Sequence, residues 1–180
     1  MTNQEIRQEI DKIFQTSNSP DELFDTFRIA INHKIKDMDM YKALLWNKAL
    51  SVDEIEMYAE KICKEIPEFC FGIFLAVAKI LDSTSLYGNN KVKAFEYFKK
   101  AAAKDKSSLE PYSRISEMYN KELDVPPLES IANFIEEGLK YVEEKSKLSF
   151  ILARLYAKTG DMEKGKIYQS RGEDYQKNGE

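Results

Sequence analysis

One pattern of apolar and small residues occurs three times in the C-terminal two-thirds of the chain. The copies are Phe74-x2-Val77-Ala78-x2-Leu81, Tyr112-x2-Ile115-Ser116-x2-Tyr119 and Ser149-x2-Leu152-Ala153-x2-Tyr156. Their small residues, Ala78, Ser116 and Ala153, lie 38 and 37 residues apart. A period of this length is typical of stacked helical hairpins, in which each unit buries its apolar face against its neighbours. The pattern therefore predicts an all-α chain built from similar helix pairs.

A second pattern, small-x3-large-x2-small, follows where the second helix of each hairpin would lie. Its clearest instance is Ala94-x3-Phe98-x2-Ala101, and a later instance ends at Gly138. Glycine costs a helix roughly 1 kcal/mol relative to alanine, so a close approach of two helices must compensate for it. The residues that we predict to pack the hairpins are Phe74, Ala78, Leu81, Ala94, Phe98, Ala101, Tyr112, Ser116, Tyr119, Gly138, Ala153 and Tyr156.

Helix start signals extend the helical prediction to the N-terminal third. Ser19-Pro20-Asp21-Glu22 supplies an N-cap serine, a proline at the first helical position and an acid at the third, and Ser51-Val52-Asp53-Glu54 forms a capping box. Whether this N-terminal part contains a degenerate repeat stays open. We predict one continuous structure, with an N-terminal helical segment over 1–66 and three hairpins over about 67–105, 109–142 and 146–178.

At these residues the chain resembles the tetratricopeptide repeat family, over about residues 67–178. It is also similar to the related Sel-one-like repeats, through the run Lys93–Ala102 and the proline-containing insert Leu123–Pro127. The resemblance implies a right-handed superhelix of antiparallel helix pairs that binds a peptide or protein in a concave groove. The chain departs from the family pattern in its lengthened spacers, Ser83–Asn90 and Leu123–Pro127.

The resemblance also implies which side chains face the groove, because groove residues lie on the first helix of each hairpin, opposite the packing residues. The implied positions are Leu75, Lys79, Arg114, Glu117, Lys121, Lys147, Phe150, Arg154 and Lys158. Bases outnumber acids among them, which would attract an acidic segment, since arginine can bind a carboxylate through two parallel hydrogen bonds. The alternative is that these side chains form the solvated stripes of amphipathic helices.

Composition limits the classes of partner and the compartment. The chain has 31 acidic and 27 basic residues and a formal net charge of −4. Nucleic acids and anionic membranes require a concentrated positive field, so we expect neither as a primary partner. The apolar run Phe69–Ala78 is far shorter than the roughly 20 residues that cross a bilayer, so we expect no membrane insertion. The first residues carry no charged-then-apolar leader, and we therefore expect a cytoplasmic location.

No motif in the sequence indicates catalysis or a cofactor. Residues 160–166 have the glycine and lysine spacing of a phosphate-binding loop, but Ile167 replaces the hydroxyl residue that would hold magnesium. His33 is the only histidine, so a multi-histidine metal site cannot form. Cys63 and Cys70 match no zinc-site spacing. We therefore expect no enzyme, no metal and no cofactor.

These observations lead to two hypotheses from different classes. The first is a non-catalytic adaptor or chaperone-like scaffold that binds an acidic peptide or protein segment in a concave groove. The second is a structural repeat protein that forms homo-oligomers through its convex or terminal surface and takes no peptide ligand. A stable homodimer that forms without other proteins would favour the second hypothesis.

Overall fold

The computed structural model describes residues 3–84, 88–120, 122 and 124–179. Within these residues every regular element is helical, which confirms the all-α prediction. The elements are α1 (Asn3–Thr16), α2 (Pro20–Asn32), α3 (Met38–Leu45), α4 (Val52–Glu65), a 3₁₀ turn (Pro67–Phe69), α5 (Cys70–Thr84), α6 (Gly88–Lys104), α7 (Glu110–Met118), α8 (Leu128–Gly138), α9 (Lys145–Thr159) and α10 (Met162–Asn178). None of the described helices is long and apolar enough to cross a membrane.

Local capping chemistry fixes where several of these helices begin and end. The Ser19 Oγ accepts a hydrogen bond from the Glu22 backbone N–H at 3.3 Å and so caps α2. At the start of α4, the side chains of Ser51 and Glu54 cap each other's backbone N–H groups, which confirms the predicted capping box. Gly160 ends α9 with a φ of 96°, in the left-handed region that glycine adopts without a Cβ clash.

Backbone contacts divide the chain into two compact units, residues 1–80 and 81–180. The division falls within α5 (Cys70–Thr84). The superhelical array of three hairpins stays a prediction. In the unit of residues 1–80, α1 packs against α2 and α3. Its core is aromatic, since Tyr41 and Tyr58 are buried and the ring of Phe27 meets Tyr58 edge-on with centroids 4.7 Å apart.

In the unit of residues 81–180, α9 is the central helix. α6 packs on α7, α7 on α8 and α9, α8 on α9, and α9 on α10. α9 buries residues on several sides, including Leu148, Ile151, Leu152 and Tyr156. Buried residues on several sides of a helix indicate that neighbouring elements cover it on more than one side, and only a narrow stripe of α9, with Lys147, Arg154 and Lys158, faces solvent. α9 therefore contributes side chains to two different surfaces, one shared with α7 and one between α8 and α10.

Nearly all the predicted packing residues are buried. The exception is Ser116, which is half-buried and whose Oγ donates a hydrogen bond to the Ser113 carbonyl oxygen at 2.7 Å. In residues 1–80 the buried ones are Phe74 and Ala78, and in residues 81–180 they are Leu81, Ala94, Phe98, Ala101, Tyr112, Tyr119, Gly138, Ala153 and Tyr156. These residues therefore lie in the interior, and their role in packing one hairpin against the next stays a prediction.

Candidate functional site

A cavity of about 220 Å³ lies between α7 and α9. Spacings of three and four residues bring each set of lining residues onto one helix face. In the α9 wall, Ile151 and Leu155 are buried, whereas Arg154 and Lys158 are exposed. The cavity therefore combines an apolar floor with a basic rim. Its lining residues are Ser113, Ser116 and Glu117 from α7 and Ile151, Arg154, Leu155 and Lys158 from α9.

The charged groups around this cavity differ in their hydrogen-bond partners. The Arg114 Nη1 donates to the Glu117 Oε2 at 3.1 Å. The negative charge of Glu117 is therefore compensated by Arg114, which does not line the cavity. The Lys158 Nζ donates to the Tyr119 carbonyl oxygen at 3.2 Å, which holds the ammonium group at the end of α7. Arg154 forms no hydrogen bond or ion pair with any residue that the structure describes. Its planar guanidinium is therefore available to a carboxylate from another molecule.

Three of the predicted groove residues, Glu117, Arg154 and Lys158, line this cavity. They share it because α7 and α9 pack side by side in the unit of residues 81–180. Arg114 does not line the cavity and flanks it through its pair with Glu117. The structure thus brings together charged residues from the second and third sequence copies.

The other predicted groove residues lie elsewhere. Leu75, with 5% of its surface exposed, and the half-buried Lys79 belong to α5 in the unit of residues 1–80. Lys147 is exposed and forms an ion pair with a neighbouring acid of its own chain segment. Phe150 is half-buried, and its ring packs against α10. Lys121 lies outside the described residues.

A larger cleft, of about 590 Å³, lies between α8 and α10, with a side chain of α9 in its lining. The Tyr156 hydroxyl donates to the Glu136 Oε1 at 3.1 Å. The rings of Tyr156 and Tyr168 are stacked, with centroids 5.7 Å apart and an interplanar angle of 10°. The Lys164 Nζ lies 5.1 Å from the centroid of the Tyr156 ring, and the Arg171 Cζ lies 5.1 Å from that of Tyr168. Aromatic and charged groups therefore converge on this cleft.

Both tyrosines of the cleft stay protonated well above neutral pH. Burial raises the pKa of Tyr168 to about 12, and the nearby Glu136 carboxylate adds to the rise. Burial also raises the pKa of Tyr156, with the charge of Glu136 as a further cause. The Tyr156 hydroxyl therefore stays a donor to the Glu136 carboxylate, which links α9 to α8.

Sequence reasoning missed this cleft. A signal was present in α10, where Lys164, Tyr168 and Arg171 recur at the spacing of one helix face. The acceptor, Glu136, lies on a different helix, and only the packing of α8 against α9 brings it to the tyrosines. Helical periodicity identifies which residues share a face but does not identify the element opposite that face.

Within the described ranges, no group of three or more His, Cys, Asp or Glu side chains is placed to hold a metal ion. No model of a known protein family, no curated protein and no solved structure matches this chain. The function is therefore inferred from the chemistry of the cavity and the cleft.

Proposed function

We propose that this chain is a non-catalytic, tetratricopeptide-like repeat protein that binds an acidic segment of another protein in the α7–α9 cavity. The proposal is carried by the exposed guanidinium of Arg154, which has no partner among the described residues and lies beside the buried Ile151 and Leu155. A charged group next to an apolar floor suits a ligand with an acidic side chain beside an apolar one.

The volume of the cavity favours part of a macromolecule over a whole small molecule. Sites for drug-sized ligands typically measure about 300–1,000 Å³, whereas this cavity measures about 220 Å³. The space suits a few side chains of a ligand whose remainder lies outside. Both walls are helices, whose backbone N–H groups are already bonded within the helix. Recognition would therefore depend on side-chain contacts.

The charge of the lining favours an acidic ligand. Arg154 and Lys158 are basic, and the single acid, Glu117, is compensated by Arg114. A carboxylate at the guanidinium would form two parallel, charge-assisted hydrogen bonds. Exposed charges are screened over a Debye length of about 8 Å at physiological ionic strength. The affinity should therefore fall as salt concentration rises.

An array of short synthetic peptides that differ in acidic and apolar content tests this proposal. We expect the wild-type chain to prefer peptides in which acidic and apolar residues are adjacent. Arg154→Glu should weaken binding of the preferred peptide about tenfold or more, because it replaces the partner of the carboxylate with a like charge. Fluorescence anisotropy with that peptide, labelled, gives the two dissociation constants.

Lys147→Glu is the matched control. It makes the same change in net charge on the same helix, at an exposed residue outside the cavity lining. Its dissociation constant should stay close to that of the wild type. An equal loss in both variants, or wild-type binding that does not depend on the acidic content of the peptide, would contradict the proposal.

A further inference from the structure

The α8–α10 cleft leaves apolar surface open to solvent. Ile167 of α10 has 46% of its surface exposed, although it lines a concave site. Leu128 and Ala132 contribute apolar surface from α8. Apolar surface that is rimmed by polar and charged groups marks an interaction site more often than does a single exposed apolar residue. The cleft therefore has the composition of a contact surface.

The two sides of the cleft carry opposite charge. α8 contributes two acids, Glu129 and Glu136, and α10 contributes two bases, Lys164 and Arg171. The Asp161 Oδ2, at the start of α10, lies 3.9 Å from the Lys164 Nζ and offsets part of the basic charge. Glu129 is exposed and forms no ion pair in the part of the chain that the structure describes. The α8 edge is therefore net acidic and the α10 edge net basic.

This distribution of charge is complementary to itself. A homodimer with two-fold symmetry uses the same surface on both subunits. A two-fold axis that runs along the cleft places the α8 edge of each subunit over the α10 edge of the other, so acid faces base. An axis that crosses the cleft in the same plane places α8 over α8, and like charges then repel. The charge pattern therefore selects the first arrangement.

We propose that the α8–α10 cleft is the interface of a symmetric homodimer of this chain. In this dimer, the partner subunit covers Ile167, and the acidic α8 edge that contains Glu129 faces the basic α10 edge of the partner subunit. The contact buries the exposed isoleucine on both subunits at once and satisfies both charged edges. It uses a different side of α9 from the α7–α9 cavity and does not rest on the function proposed for that cavity.

Complementary charge reversal tests this interface. Glu129→Lys leaves the α8 edge without net charge, and Lys164→Glu makes both edges acidic, so either variant alone should dimerise about tenfold or more weakly than the wild type. An equimolar mixture of the two variants forms a heterodimer in which one acidic α8 edge again faces a basic α10 edge, which neither variant achieves alone. We therefore expect the mixture to dimerise more strongly than either component. Sedimentation velocity of the full chain over a concentration series measures all four samples.

Matched controls make the same charge changes outside the cleft. Glu163→Lys and Lys166→Glu lie on exposed positions of α10 that do not line it, and both should dimerise as the wild type does. If the wild-type chain stays monomeric at the highest concentration, the cleft does not bind a second copy of the chain, and the proposal is overturned. A mixture of the two reversed variants that dimerises no better than its components would also overturn it.

An apolar test is independent of charge reversal. Ile167→Asp should raise the dimer dissociation constant about tenfold or more, because it places a carboxylate where the partner presents apolar surface. Met162→Asp is its control, since Met162 is also on α10, is 59% exposed and does not line the cleft. Circular dichroism confirms that each variant is folded. Unchanged dimer affinity in Ile167→Asp would overturn the proposal.

Discussion

Ser149 places a hydroxyl group in the interior of the unit of residues 81–180 without a partner. Its side chain is fully buried, and its Oγ forms no hydrogen bond within the described residues. In the other two copies of the sequence pattern, Phe74 and Tyr112 occupy the equivalent position. A buried hydroxyl without a hydrogen bond costs about 1–3 kcal/mol. The third copy therefore carries an energetic cost that the other two avoid.

Ser149→Ala should raise the free energy of unfolding by about 1–2 kcal/mol, because it removes the unsatisfied hydroxyl and gains helix propensity. Urea denaturation measures the change. Ser116→Ala is the matched control, since it gains the same propensity but loses a hydrogen bond to Ser113. Its stability should rise less. Equal stabilisation by the two substitutions would show that the hydroxyl at position 149 carries no special cost.

The candidate site could be predicted from sequence only where a helix has a distinct solvent face. α9 alternates exposed and buried residues at helical spacing, so Arg154 and Lys158 could be placed on the same face from their numbers alone. α5 buries nearly every residue from 70 to 81, and periodicity could not identify a groove face there. Leu75 is buried because α5 is covered by other residues on most of its sides. The contact between Glu136 and Tyr168 depended on tertiary packing that no local pattern encodes.

Among the helices, two glycines have opposite roles in packing. A Cβ added at Gly138 would lie 2.7 Å from the Tyr112 ring, which is itself buried and packs against Phe134 with centroids 4.8 Å apart. At Gly165, an added Cβ would lie 3.4 Å from the Ala153 carbonyl oxygen, an ordinary van der Waals distance. α8 therefore needs glycine for its close approach to α7, whereas α10 does not need it at position 165.

Gly138→Ala should lower the free energy of unfolding by about 1–2 kcal/mol, because the cost of overpacking exceeds the gain in helix propensity. Gly165→Ala should instead raise it by up to about 1 kcal/mol. Thermal and urea denaturation of both variants provide the measurement, and each serves as the control for the other. Stabilisation by both substitutions would mean that the Tyr112 ring moves aside at little cost.

Local sequence patterns predict some of the helix ends but not others. The starts of α2 and α4 could be predicted because a serine side chain and the residues that follow it form the cap without tertiary help. The end of α8 could not, and the helix stops at Gly138 although the predicted hairpin extends to 142. There the Leu139 N–H donates to the Glu136 carbonyl oxygen in a tighter turn. Helix ends without a side-chain cap depend on such turns, which the sequence signals weakly.

At the scale of the whole molecule, both compact units contain tyrosines whose pKa values are raised. Burial raises the pKa of Tyr41 and that of Tyr58 to about 12 in residues 1–80, and that of Tyr168 to about 12 in residues 81–180. Above pH 10, the unfolded chain releases these protons while the folded chain keeps them. Both units should therefore lose stability in the same alkaline range.

The free energy of unfolding should fall as pH rises from about 10 to about 12, because the folded state binds more tyrosine protons than the unfolded state does. Tyr58→Phe should make this fall less steep, since it removes one of the protons involved. Urea denaturation at several pH values measures the slope. Tyr141→Phe is the control, because Tyr141 is 41% exposed. Identical slopes for the wild type and Tyr58→Phe would contradict the prediction.

The central position of α9 has a consequence for regulation. Ile151 and Arg154 face the cavity with α7, while Tyr156 of the same helix reaches the cleft between α8 and α10. A peptide that bound in the cavity and shifted α9 slightly would also change the shape of the α8–α10 cleft that the second subunit contacts. Thermodynamic linkage makes such an influence reciprocal, so assembly would change ligand affinity by the same factor as the ligand changes assembly. Because α9 lines both sites, peptide binding in the cavity and dimerisation through the cleft would be coupled.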